Sequence, residues 1–180
     1  MAKTLKKVGV IGAGPMGSGI AHVCALAGLN VVLNDISADR LKAALATING
    51  NMARQVKRKR ITEEQRKDAL KRISPAEAVE EFSDCDLVIE AATEKEDVKR
   101  RIFSELCPVL RADAMIGSNS SSISITRLAA ATDRPEKFIG VHFMNPPAVM
   151  EVVELIRGIA TDDATFETAR EFCVHVGKTV

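Results

Sequence analysis

Neither tryptophan nor tyrosine occurs in this 180-residue chain, whose only aromatic residues are six phenylalanines. Single-stranded nucleic acid is held largely by aromatic stacking platforms, so that class of partner is disfavoured at once. Charge of one sign is also missing. The 25 Lys and Arg stand against 24 Asp and Glu, a net of +1, and 46% of the residues are hydrophobic. This excludes both a polycation that coats nucleic acid and a disordered chain. Cysteine is sparse: Cys24, Cys85, Cys107 and Cys173 form no C-x-x-C pair and have no histidine at ligand spacing, which argues against a metal site or a redox dithiol. They read as reduced and packed. No apolar run approaches the ~18–20 residues that cross a bilayer. The basic start, Met1 to Lys7, leads only into a short stretch broken by Gly9, Gly12 and Gly14, unlike a signal peptide. A soluble, cytoplasmic protein with no membrane partner is the reading, and the length fits one domain.

What is present is an alternation of two periods. Val8 to Ile11 is a β-branched run. The glycine-rich turn Gly12 to Gly17 follows, and then Met16, Ile20, Val23, Cys24 and Ala27 recur at helical spacing. Pro15 suits a first helical position and Gly28 a left-handed cap. Asn30 to Asn34 is the next strand, with Asp35 at its carboxyl end. A helix N-capped by Ser37 carries Leu41, Leu45, Ile48, Met52 and Val56, weakened midway by Asn49-Gly50-Asn51, and ends in Lys57-Arg58-Lys59-Arg60. Thr62 and Gln65 make a capping box for a third helix, so residues 37–72 read as a helical hairpin inserted into the pattern.

The alternation resumes with a strand at Leu87 to Glu90. A Thr93/Glu96 capping box then opens a helix whose apolar positions are Val98, Ile102, Leu106 and Val109, ended or kinked by Pro108. Ala114 to Ser118, Phe138 to Phe143 and Val152 to Ile156 are further strands, and the last helix carries Phe166, Ala169, Arg170, Cys173 and Val176. The fold class is α/β: a Rossmann-like, mostly parallel sheet with helices on both faces, all in one domain spanning 1–180.

Two constellations carry chemistry. Gly12-Ala13-Gly14-Pro15-Met16-Gly17 matches G-x-G-x-x-G between a strand and a helix, with Asp35 eighteen positions past the last glycine. The glycines permit a tight turn, close approach of a pyrophosphate, and close helix–strand packing, while the helix N-terminus offers free N–H donors. Asp35 would accept from the adenosine ribose hydroxyls and repel a 2′-phosphate, which favours NAD over NADP. The second constellation is His142 with Glu154, downstream of Ser120 to Ser122. If their strands are neighbours, the two meet. Imidazole then takes an alcohol proton as hydride leaves, while the carboxylate fixes the tautomer and stabilises the imidazolium. Taken alone, a histidine on a strand is more often a structural residue, and spacing by itself does not make a dyad.

Beyond these, Val8 to Ala21 (VGVIGAGPMGSGIA), Asp86 to Ala91 (DLVIEA), Ser118 to Ile123 (SNSSSI), Gly140 to Pro147 (GVHFMNPP) and Val152 to Gly158 (VVELIRG) closely resemble the L-3-hydroxyacyl-CoA dehydrogenase family, bacterial 3-hydroxybutyryl-CoA enzymes above all. The resemblance runs from about residue 5 to the end. It implies His142 as catalytic base, Glu154 as its orienting carboxylate, Ser121 as a partner of the substrate oxygen, and Asn145 as part of the same site. It also implies that Glu94 and Lys99 touch the nicotinamide-side ribose and phosphates, that Asn119 lies beside the ring, and that Asn51 and Arg58 contact CoA. The usual Ser-Asn-Thr-Ser is Ser-Asn-Ser-Ser here, and Asn-Pro-Val-Pro-Val is Asn-Pro-Pro-Ala-Val. The helical C-terminal domain that in the family makes the homodimer and covers the acyl chain is absent from these residues. Three readings follow: an NAD-dependent oxidoreductase interconverting short L-3-hydroxyacyl-CoA and 3-oxoacyl-CoA, a catalytically silent NAD-binding module, and a related dehydrogenase of a free hydroxy acid.

Overall fold

A computed structural model describes all 180 residues. The strands are β1 (Lys7–Ile11), β2 (Asn30–Asn34), β3 (Ile73–Ala76), β4 (Leu87–Glu90), β5 (Met115–Ser118), β6 (Phe138–Phe143) and β7 (Val153–Arg157). The helices are α1 (Pro15–Leu26), α2 (Ala38–Lys57), α3 (Glu63–Lys71), α4 (Glu96–Leu106), α5 (Ile125–Ala129) and α6 (Asp163–His175). The strands form one sheet in the order β3-β2-β1-β4-β5-β6-β7, parallel throughout except for the antiparallel β6–β7 pair.

The β-branched runs sit where both faces of the sheet are covered, so β4 and β5 are buried at every position. Alternate residues feed two cores. Val8, Val10, Leu87 and Ile89 join Ile20, Ile48, Met52 and Phe172 on the face covered by α1, α2, α3 and α6. Val32, Val88 and Ile116 join Phe82, Phe103 and Leu128 on the other, where Phe103 meets Phe138 edge to face at 5.1 Å. The order reverses at β1, so the crevice outside the carboxyl ends of β1 and β4 is the place for a ligand.

The structure alters the sequence reading at four points. Ile73–Ala76, read as no element, is the edge strand β3; Pro75 has no N–H to give a ladder and is tolerated because only β2 pairs with it. The hairpin of α2 and α3 is therefore not an insertion beside the alternation but the β2-to-β3 crossover itself. Second, α2 runs unbroken through Gly50, held by the buried stripe Leu41, Ala44, Ile48 and Met52. Third, no Thr93/Glu96 capping box forms. The Thr93 hydroxyl accepts from Lys95 N at 3.2 Å, α4 starts only at Glu96, and that carboxylate instead pairs with Arg127. Fourth, the buried stripe of α4 is Lys99, Phe103 and Leu106, rotated from the one the apolar residues trace. Val98 and Ile102 are half-buried, and Val109 lies past the helix end.

At the amino ends of the parallel strands, Asp86 accepts from Lys6 N, Lys7 N and Arg111 Nη2 at 2.7–3.0 Å. Burial alone would raise its pKa, but the Lys6, Arg111 and Lys7 hydrogen bonds together hold it below the ordinary carboxylate value. A depressed carboxylate stabilises the fold above its unfolded pKa of about 4, and that contribution is lost as pH falls through the folded value. Asp86→Asn is therefore expected to lower the melting temperature at pH 7, with the difference from the parent closing in the acid limb. A gap that persists undiminished in acid would show that the carboxylate charge is irrelevant.

Candidate active site

The glycine loop is built by two close approaches. Gly12 adopts φ +101°, and a side chain there would strike the Ala91–Ala92 backbone; a Cβ on Gly17 would overlap the Gly12 carbonyl oxygen. Because Pro15 has no N–H and the first bond into α1 runs from Ser18 N to Gly14 O, the N–H groups of Met16 and Gly17 have no acceptor in the chain. A Cβ on exposed Gly14 would meet nothing within 4 Å, so the space over the helix N-terminus is open. These features fit the pyrophosphate of a dinucleotide.

Asp35, buried at the end of β2, accepts from Ala13 N through Oδ2 and from Ser37 N through Oδ1, each at 3.0 Å. Each carboxylate oxygen retains a second lone pair, so the group holds the loop in shape and still has capacity for a ribose hydroxyl.

On the other side of the switch point, Glu94 is exposed and accepts from Ser120 Oγ at 3.2 Å and Ser122 Oγ at 3.4 Å. Ser121 is left outward between them. Asn119 is nearly buried, and its Oδ1 accepts from Phe143 N at 2.8 Å, tying the end of β5 to β6. Lys99 has no exposed surface, and its ammonium lies 2.5 Å from Glu90 Oε1 and 3.4 Å from Ser118 Oγ.

His142 and Glu154 are direct partners in the β6–β7 register, with Nδ1 and Oε2 3.1 Å apart; the imidazole is 21% exposed and the carboxylate 59%. An ionised Glu154 is an acceptor only, so Nδ1 carries the proton and Nε2 is the free, basic nitrogen. Glu154 shares a cavity of about 430 Å³ with Ser121 and Ser122.

Asn145 stands on the loop after β6 and lines a cleft of about 300 Å³ with Gly14 and Asn51. That cleft shares His22, Asn51, Pro146 and Ala148 with a second one of about 250 Å³, which adds Arg54, Gln55, Arg58 and Arg60. Sequence reasoning passed over Arg54 and His22. Arg54 donates to Asn51 Oδ1 and so sits within the same polar group as Arg58. His22, buried on α1, contacts Gln55 Oε1 at 2.9 Å through Nε2. Burial holds its pKa below the usual imidazole value, against the Gln55 hydrogen bond and with the Lys178 charge reinforcing it. No sequence signal marked His22, which sits within an apolar helix; Arg54 could have been found as the arginine one turn before Arg58.

A helix N-terminus stripped of partners, an acidic residue ending β2, and a His–Glu pair across the switch point define a dinucleotide-dependent oxidoreductase domain of the doubly wound class. The model of the 3-hydroxyacyl-CoA dehydrogenase NAD-binding domain matches residues 7–180, and the chain belongs to that family. It is 68% identical over its whole length to a 3-hydroxybutyryl-CoA dehydrogenase of Bradyrhizobium diazoefficiens, spanning 61% of that relative. It is 39% identical over 178 residues, or 99% of its length, to the fatty acid oxidation complex subunit alpha of Acinetobacter baylyi, covering 25% of that protein. The solved structure of (S)-3-hydroxybutyryl-CoA dehydrogenase PaaH1 from Ralstonia eutropha superposes with a TM-score of 0.95 at 43% identity, over 97% of this chain and 62% of that one. The family and its NAD cofactor agree with the reading of the sequence. No helix is long and apolar enough to cross a membrane.

Proposed function

We propose that these residues form the dehydrogenase half of an NAD-dependent enzyme that interconverts L-3-hydroxyacyl-CoA and 3-oxoacyl-CoA, with hydroxybutyryl as the acyl group. The observation that carries this is the cross-strand His142–Glu154 pair, which lies toward the same carboxyl end of the parallel strands as the glycine loop. NAD, when bound, supplies the hydride acceptor. His142 Nε2 takes the proton of the 3-hydroxyl, and Glu154 stabilises the imidazolium that results. The outward Ser121 hydroxyl donates to the same substrate oxygen, and Asn145 borders the substrate path. Arg58, with Arg54 and Asn51, receives the CoA phosphates, for which a guanidinium fork is suited. The preference for a butyryl chain rests on what the relatives named above act on. A homodimer and a cytoplasmic location belong to the same proposal.

Nucleotide choice follows from Asp35. NADH is expected to bind at least about tenfold more tightly than NADPH, since a 2′-phosphate would face a buried carboxylate. Asp35→Ala should narrow that gap. Equal affinities in the parent, titrated at fixed salt, would remove the assignment.

The relatives are longer, and this bears on turnover. The 180 residues alone are expected to bind NADH, with a stabilisation of about 2.7 kcal/mol when ligand is at 100 times Kd. Turnover should be negligible, because the substrate needs a site closed from water. A chimera joining this chain to the part of the Bradyrhizobium relative beyond the match should oxidise L-3-hydroxybutyryl-CoA and ignore free L-3-hydroxybutyrate. Preference for the free acid would overturn the CoA reading, and robust turnover by the 180 residues alone would overturn the module reading.

A further inference from the structure

We infer that His22 couples pH to polyanion binding in the cleft between α1, α2 and the loop after β6: it is neutral while the cleft holds no anion and takes up a proton from solvent when a polyphosphate sits on the arginines there. The inference rests on the reading of that cleft as the place for the CoA phosphates.

His22 is only 1% exposed, yet it lines both parts of the cleft beside Asn51, Pro146 and Ala148. Its Nε2 contacts Gln55 Oε1 at 2.9 Å, and Gln55 lies between Arg54 and Arg58 on α2. With the Gln55 oxygen as acceptor, Nε2 carries the hydrogen and Nδ1 is a bare lone pair. Nδ1 is the one buried side-chain nitrogen or oxygen in the chain that has no hydrogen-bond partner. A buried acceptor without a partner costs stability, which an apolar side chain at this place on α1 would spare. What an apolar side chain could not do is accept a proton.

The charges around the imidazole are nearly all positive. Arg54, Arg58 and Arg60 line the cleft from α2, and no Asp or Glu lines either part of it. Arg72, just past α3, donates to Ala25 O on α1 at 2.9 Å. From the C-terminal segment, Lys178 Nζ donates to the Pro147 and Met150 carbonyls at 2.5 and 2.7 Å, with Glu151 as the carboxylate acting on it. Burial, reinforced by the Lys178 charge, keeps His22 neutral against the pull of the Gln55 contact. A pyrophosphate seated on the arginines reverses the sign of the field, and a buried imidazole feels that change through little water. The ligand then binds together with a proton. Because the occupied cleft gives His22 the higher pKa, affinity is flat in alkaline solution, climbs as pH falls through the bound and then the free value, and levels off below both.

The probe is dephospho-CoA, whose pyrophosphate diester holds a constant charge from about pH 8 to about pH 5.5, titrated into the 180-residue chain at fixed salt. Affinity is expected to rise by about threefold or more across that range. The arginines stay charged throughout and contribute no slope. His22→Gln retains an amide to meet Gln55 but takes up no proton, so its affinity should lose that rise. If the variant does not fold, the imidazole proton resonances of the parent decide, since His22 should titrate at higher pH with dephospho-CoA bound than without it. A flat parent, equal slopes in parent and variant, or an unmoved His22 titration overturns the inference and leaves the CoA reading standing. A parent that binds no dephospho-CoA at any of these pH values overturns both.

Discussion

Replacing His142 with Gln in the chimera is expected to slow oxidation of L-3-hydroxybutyryl-CoA by about 10²–10⁴-fold, the range for loss of a positioned general base. The amide keeps the length and polarity of the side chain but takes up no proton near neutrality. NADH affinity should stay within about twofold of the parent, because the residues that hold the nucleotide lie on other strands. Glu154→Gln leaves the imidazole and weakens only its cation. Its deficit should therefore be larger near neutral pH and smaller in alkaline solution, where less depends on the imidazolium. A His142→Gln chimera with parental turnover would dispose of the dyad.

Gly17→Ala should abolish useful NADH binding, by about a hundredfold. Overpacking a tight contact costs about 1–3 kcal/mol or more. Here the atom displaced is the backbone carbonyl of Gly12, part of the loop that receives the pyrophosphate. The melting temperature should fall with it. Gly14→Ala makes the informative contrast. Its methyl meets no protein atom within 4 Å, so the parent's thermal stability should persist while the methyl obstructs the ligand path. Equal effects of the two substitutions on stability would contradict this account of the loop.

Much of the fold was legible because its signals are local. The glycine loop, the caps at Ser37 and Thr62 and the strand at Leu87 each depend on residues within one turn or one strand. What was missed depends on partners distant in sequence. β3 exists because β2 offers it a ladder, and a proline is acceptable on the outermost strand. The Thr93 hydroxyl could have capped α4, but Glu96 is drawn to Arg127 on another helix. Lys99 was assigned to the cofactor by resemblance alone, and its burial was not legible because its partner lies on another element. Only the Glu90 carboxylate, nine residues earlier, makes its burial tolerable. The pairing of His142 with Glu154 was readable as a possibility from strand content, and it required the antiparallel neighbour to become a contact.

That contact has a consequence for how such sites diverge. His142 and Glu154 face each other across a ladder, so the interval between them is set by the length of the loop at 144–152 and not by the contact between the two side chains. Residues added to or removed from that loop leave the two side chains opposed as long as the strands keep their pairing. A slip of a single residue turns Glu154 to the far face of the sheet. The spacing in this chain is a mark of descent. A distant relative with a longer or shorter loop could hold the same pair, and a search for the two residues at a fixed interval would pass it by.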